Sequence, residues 1–212
     1  DDSRDGQMED LKRHLVCIDR KTGKILWDET VKAKMPEERY DGMFTQHGYA
    51  THTPASDGKA VYAFFGKSGL HAFDLAGKKL WEADAGDYLD RRGWGSASSP
   101  IVYQDKVIVT AAVEDEAVYA FNSKTGSQAW RSPASGLAST WSTPIAVSMN
   151  GRDSIVLAVP YEIWAYNPAN GKLRWLSEAV ASDSMCGSPI EKDGVIYAMG
   201  ERGGGSVAIK AG

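Results

Sequence analysis

The sequence predicts an all-β chain, a β-propeller of four-stranded antiparallel blades, with about four and a half blades in its 212 residues. Three observations predict it. Five segments align on one another: LVCIDRKTGKILW (15–27), LHAFDLAGKKLW (70–81), VYAFNSKTGSQAW (118–130), IWAYNPANGKLRW (163–175) and the shorter VAIKAG (207–212). In the four complete copies a glycine stands four residues before a tryptophan: Gly23 and Trp27, Gly77 and Trp81, Gly126 and Trp130, Gly171 and Trp175. Four prolines, Pro54, Pro100, Pro144 and Pro189, each close a run of small residues and lie 46, 44 and 45 residues apart. That spacing matches the period of roughly 40–50 residues expected of a propeller blade.

The elements follow in chain order as repeats over about 14–31, 50–82, 96–131, 139–176 and 184–212, forming one propeller domain, or a portion of one, over 1–212. The first repeat supplies only the last two strands of a blade. Its alternating strand ends at Asp19, whose side chain can bond backbone amides in the turn, and Gly23 takes the positive-φ position that closes the hairpin. The second repeat adds an upstream strand pair, THTPASDGKAVYAFF, and its hairpin drops one residue in the turn. The third and fourth repeat the plan with SSPIVYQDKVIVTAA and STPIAVSMNGRDSIVLAV, their hairpin strands ending at Asn122 and Asn167. The fifth, GSPIEKDGVIYAMG followed by VAIKAG, supplies three strands. Joined end to end, the first and last repeats would give five strands where a blade needs four, so closure into four blades leaves one strand spare; the simpler expectation is a portion of a seven- or eight-bladed ring, with a naturally small ring as the alternative. Further blades or another chain would then cover its open edges. Proline cannot donate to a ladder, so the four prolines fit the free inner edge of each blade's first strand, where crowding at the axis also explains the small neighbours.

Composition narrows the function classes. Hydrophobic residues make up 42% of the chain and charged residues 25%, enough for a real core. The net charge is -4 and the basic residues are scattered, so nucleic acid is not an expected partner. No apolar run approaches the roughly 20 residues of a membrane-spanning helix, and DDSRDGQMED has no signal-peptide core. Cys17 and Cys186 have no paired spacing, so neither a metal knuckle nor a disulfide framework is implied, and their redox state stays open.

The segments IDRKTGKILW, FNSKTGSQAW and YNPANGKLRW closely resemble the tryptophan-docking repeat of the pyrroloquinoline-quinone-like (PQQ-like) β-propeller family, over nearly the whole chain. The resemblance implies that Trp27, Trp81, Trp130 and Trp175 pack between adjacent blades. It also implies a bacterial protein of the uncharacterised exported type, in the periplasm or outside the cell. The family includes quinone-dependent dehydrogenases and a lipoprotein scaffold of outer-membrane protein assembly, so the repeat alone does not choose a function. PQQ with calcium is implied by resemblance only. The chain has no Cys-Cys pair, and no cluster of Asp, Glu and Asn stands out at a hard-cation spacing. The leading expectation is therefore a non-catalytic binding or scaffold module that holds a partner protein or small ligand. A quinone-dependent dehydrogenase, or a fragment of one, and a glycan-binding propeller are the alternatives.

Loop lengths point to one face. The gap from hairpin tryptophan to next proline is 14 residues for Trp130 to Pro144 and for Trp175 to Pro189, but 19 for Trp81 to Pro100 and 27 for Trp27 to Pro54. The two extended loops hold VKAKMPEERYDGMFTQHGYA and EADAGDYLDRRGWG. Binding residues concentrate on such loops over a rigid scaffold. The candidates at the channel mouth are His47, Tyr49, His52, Arg92, Trp94 and Trp141, with Arg202 in the glycine-rich ERGGGS stretch. His47 and His52 read as a metal-ligand pair or a base, or as hydrogen-bonded polar lining, and no third ligand is apparent. Trp94 and Trp141 lie outside the hairpins and read as platforms for a flat ligand or as filling at the axis. Arg202 reads as an anion cradle or as part of a flexible turn. Ser96, Ser98 and Ser99 lack the Gly-x-Ser-x-Gly frame of a nucleophile, and no catalytic residue or metal ligand set is assigned.

Overall fold

A computed structural model describes residues 7–200 and 203–210. Each alternating apolar run buries one face against a neighbour, and the result is five antiparallel sheets standing side by side. The first is the hairpin β1 (Lys12–Ile18) and β2 (Ile25–Lys32). The second joins β3 (Ala55–Ser56), β4 (Ala60–Phe64), β5 (Leu70–Asp74) and β6 (Lys79–Ala83). The third joins β7 (Ile101–Tyr103), β8 (Lys106–Ala111), β9 (Ala117–Asn122) and β10 (Gln128–Pro133), and the fourth β11 (Ile145–Met149), β12 (Arg152–Val159), β13 (Glu162–Tyr166) and β14 (Leu173–Glu178). The fifth holds β15 (Ile190–Lys192), β16 (Val195–Met199) and β17 (Ser206–Lys210). Strand order within every sheet is sequential, the meander of a propeller blade.

The core lies between sheets. Leu15, Val31, Phe65 and Phe73 join the first sheet to the second. Tyr62, Phe64 and Trp81 meet Val107, Val109 and Phe121 between the second and third. Ile108, Val118 and Trp130 meet Ile155, Leu157 and Tyr166 in the next gap, and Val156 and Ile163 meet Ile196 and Ala198 in the last. Among the described residues no such cluster joins the fifth sheet to the first, and Ile18, Ile25, Ile190 and Met199 stay exposed on these two sheets.

Each hairpin turn is built as its sequence dictates. Asp19 Oδ1 accepts the Lys21 and Thr22 amides, Asp74 Oδ1 those of Ala76 and Lys78, and Asn122 Oδ1 those of Lys124 and Thr125. The glycines that follow sit at positive φ, +70° at Gly23, +90° at Gly77, +72° at Gly126 and +70° at Gly171. The tryptophan of one blade lies on the glycine of the next. Atoms of Trp27, Trp81 and Trp130 come within 2.9, 2.6 and 2.5 Å of where a Cβ on Gly77, Gly126 and Gly171 would stand. Each indole N–H then donates to a carbonyl in that same turn: Trp27 to Leu75 at 3.1 Å, Trp81 to Ser123 at 3.0 Å and Trp130 to Pro168 at 2.9 Å. Trp175 packs half-buried against the apolar cluster between the fourth and fifth sheets.

A second ladder runs along the inner edges. The residue before each proline carries a hydroxyl, and it accepts the backbone N–H of its counterpart one blade earlier: Thr53 N to Ser99 Oγ at 2.9 Å, Ser99 N to Thr143 Oγ1 at 3.0 Å, Thr143 N to Ser188 Oγ at 3.0 Å. These amides lie on the edge that has no strand partner, so the hydroxyls satisfy donors that the sheet cannot.

The Trp–Gly contact makes a comparison of two equivalent turns informative. Gly23→Ala, with open space at its Cβ position, should cost about 1–2 kcal/mol for the left-handed backbone alone. Gly126→Ala should cost a further 1–3 kcal/mol, roughly, because its methyl must displace Trp81. Urea denaturation of the two variants measures the difference.

Candidate functional site

In a meander blade the β4–β5 and β8–β9 turns emerge at the same end as the connections between blades, which gathers the extended loops and these turns on one face. The first extended loop folds a short helix, Phe44–His47, whose Phe44 is buried. The Phe44 ring lies 2.6 Å from the position a Cβ on Gly95 would take, so the second extended loop can sit over it only with glycine there. A further bond ties the loops together, Asp90 N donating to Glu38 Oε1 at 2.7 Å, and within the second loop Trp94 N donates to Asp90 Oδ2 at 2.8 Å. Tyr88 N donates to Glu114 O at 3.1 Å, fastening the second loop to the β8–β9 turn.

The sequence candidates fall into two groups. Tyr49 and His52 line a cavity under the loops together with Arg13, Glu37, Glu38, Lys67, Ser96 and Glu114. The His52 Nε2 is 2.9 Å from Ser96 Oγ, and its ring meets Phe64 edge-on at 5.0 Å. Burial first, and then the charge of Arg13, pushes the His52 pKa down to about 3, so the ring is neutral. Tyr49 donates its hydroxyl to Glu38 O at 2.6 Å, and burial raises its pKa to about 12. Its carbonyl accepts from Arg13, whose guanidinium lies 5.3 Å from the Tyr49 ring centroid and pairs with Glu37.

The second group is Arg92, Trp94 and Trp141. The two indoles meet at 5.1 Å, and the Arg92 guanidinium lies 5.5 Å from the Trp94 centroid while reaching Asp183. Trp141 is buried and donates its N–H to Gly95 O at 2.6 Å, so of the pair only Trp94 keeps a partly open surface. His47 stands apart from both groups, packed on Phe44 with Nδ1 2.7 Å from Gly48 O. Arg202 lies outside the described residues. Beside Arg92 a groove of about 500 Å³ runs between the second loop and the β8–β9 turn, lined by Tyr88, Leu89, Arg91, Ala112, Val113 and Glu116.

The arrangement does not assemble a catalytic relay. Ser96 stands beside both His52 and Glu114, so the histidine does not bridge serine to acid as a nucleophilic triad requires. Among the described residues no group of three or more His, Cys, Asp or Glu is placed to hold a metal ion. Sequence reasoning missed Arg13, Glu38 and Glu114. Glu114 lies in AAVEDEA, where nothing local marks one of three acids as buried, and it is 1% exposed. The one signal was the acidic pair in PEERY at the head of the first extended loop.

A family model described as outer membrane protein assembly factor BamB matches residues 11–212. Among solved structures the chain is similar to BamB from Moraxella catarrhalis, with a TM-score of 0.62 and 16% identity over 83% of this chain and 50% of that one. It is also similar to the quinohemoprotein alcohol dehydrogenase from Comamonas testosteroni, with a TM-score of 0.59 and 17% identity over 85% of this chain and 36% of that one. At these identities the likeness is one of fold, and the chain spans about half the length of that BamB. No curated protein sequence matches.

Burial raises the Glu114 pKa from 4.5 to about 7, opposed in part by the nearby Ser96 hydroxyl. The protonated form is then the stable folded form, so its stabilisation is present below about pH 4.5 and is lost as pH rises through 7. His52 acts in the opposite sense, losing stability as pH falls from 6.5 towards 3. Glu114→Gln removes only the first effect. Relative to the parent chain, its urea-unfolding free energy should climb by about 3 kcal/mol between pH 4.5 and 8.

Proposed function

From the premise that the chain belongs to the PQQ-like β-propeller family of outer membrane protein assembly factor BamB, we propose that it is a non-catalytic binding module of the periplasm or cell exterior. It holds a partner protein on its extended-loop face. The observation that carries this reading is the apolar rim of the 500 Å³ groove, where Tyr88 is 65% and Leu89 40% exposed beside Arg91 and Arg92. Met35 and Met43 are exposed on the neighbouring loop. Aromatic, methionine and arginine side chains are the types enriched in protein interfaces, and contiguous exposed apolar surface rimmed by polar groups marks such sites.

A rigid scaffold suits the role. The Trp–Gly docking and the hydroxyl ladder hold the blades in fixed relation, so the loops present their side chains with little ordering cost on binding. The glycan reading has weaker support, because Trp94 is already contacted by both Trp141 and Arg92. A quinone enzyme has no supporting donor set among the described residues.

A photo-crosslinking residue placed at Tyr88 or Leu89 in the native host should trap one discrete protein. The same residue at Leu75, exposed on the hairpin turn at the opposite end of the second sheet, should not. Equal crosslinking from the two faces would sink the proposal.

A further inference from the structure

Three residues of one cavity leave buried polar atoms unsatisfied: Arg13 Nε, Glu38 Oε2 and the Glu114 carboxyl, whose one neighbouring hydroxyl, that of Ser96, is shared with His52. Arg13 is 8% and Glu114 1% exposed. Buried polar groups in folded proteins are satisfied by protein or by a bound species, so this convergence calls for an occupant. The space available is about 30 Å³, room for one or two particles the size of water. Its wall is closely shaped, since a Cβ on Gly66 would stand 3.0 Å from Glu114 Oε1 and 3.9 Å from His52 Cε1.

The charges decide the chemistry of that occupant. Arg13 is paired with Glu37, the Lys67 amine donates to Pro36 O, and His52 is neutral. Glu38 uses one oxygen for the Asp90 amide and leaves the other bare, and Glu114 has no charged partner in contact. Two cations thus face three carboxylates, and an ionised Glu114 leaves one negative charge uncompensated. A species that met both bare carboxylates in their ionised form would carry one positive charge, donate hydrogen bonds and have the size of water. A hard metal ion fits poorly, because among the described residues no three His, Cys, Asp or Glu side chains are placed to hold one, the three carboxylates of the cavity included.

The cavity also has a position relative to the groove. Tyr88, Leu89 and Val113 line both. An alkyl chain lying between these apolar side chains would carry a terminal ammonium down towards Glu38 and Glu114, as lysine does when its stem is buried and its head group is paired. We infer that the cavity receives a primary ammonium group, the side-chain head of a lysine presented by the partner protein, with Glu114 and Glu38 as its acceptors. The remaining volume holds a water that accepts from Arg13 Nε. The inference rests on the partner-binding reading for the source of the lysine, and its chemistry stands on the cavity alone.

The test therefore uses the full chain and no partner. Thermal unfolding at pH 8 is measured in the chlorides of n-butylammonium, ammonium, sodium and tetramethylammonium at equal ionic strength. n-Butylammonium, the probe that mimics a lysine side chain, should raise the melting temperature by about 4 °C for each tenfold concentration above its Kd. Sodium and tetramethylammonium should not. The effect should shrink at pH 5.5, where Glu114 carries its own proton, and should vanish in Glu114→Gln. Should that variant not fold, Glu38→Gln must weaken n-butylammonium binding by at least tenfold. Stabilisation by ammonium without n-butylammonium would overturn the lysine assignment in favour of a free ion, and identical melting in all four salts would mean a cavity filled by water only. Either result leaves the crosslinking test of partner binding at Tyr88 untouched, so the two failures are distinguishable.

Discussion

An indole ring can lie flat on a backbone turn only where the turn carries no Cβ, and this steric condition underlies the whole molecule. In each docked pair a glycine at positive φ opens the space, the tryptophan of the preceding blade fills it, and the indole N–H donates to a carbonyl of the same turn. The contact joins hydrophobic burial to a directional bond, so it fixes both the distance and the rotation between neighbouring blades. Sheets that shared only apolar faces would have more freedom to slide. The turn that receives the tryptophan is itself held by the Asp or Asn that caps the hairpin strand, which makes the docking surface a product of three residues within about five positions.

From that fixed relation the loop face follows. With the outer hairpins locked, the inner edges come close enough for the hydroxyl before each proline to take the amide of the previous blade. The inter-blade connections are then free to vary in length without disturbing the array, since their ends are held by the strands. The two longest connections lock on each other through Phe44 and Gly95, and through Glu38 and Asp90, and cover a polar cavity instead of filling it. A rigid frame that leaves buried acids unpaired gives up stability at that place, as sites built to bind something commonly do.

The propeller was legible because its signals are local and repeated. The Gly–Trp spacing, the Asp or Asn at the strand end and the proline period each act within one hairpin or one strand, and four copies reinforce one another. The site was legible only in part. Loop length brought Tyr49, His52, Arg92 and Trp94 into view, and a place outside the hairpins did so for Trp141, but nothing in the sequence said that Trp141 is buried with its N–H on Gly95, or that His47 points to its own helix end. Arg13 comes from the first strand, Glu38 from the first extended loop and Glu114 from a turn between β8 and β9. Their meeting depends on how three blades stand beside one another, which no local pattern encodes. The hydroxyl ladder is a different case, because Thr53, Ser99, Thr143 and Ser188 were all visible before their prolines, and only the geometry gave them a role.

The central claim is that tryptophan docking couples each blade to the next. Site-resolved hydrogen exchange after Trp81→Phe, which keeps an apolar ring but removes the bond to Ser123, tests it most directly. The account predicts lost amide protection in the β5–β6 hairpin and also in the β9–β10 turn that receives the ring, with the fifth sheet unchanged, as nearest-neighbour coupling in a repeat array requires. Loss confined to β5 and β6 would contradict it, and would mean that the blades are held by their apolar faces alone.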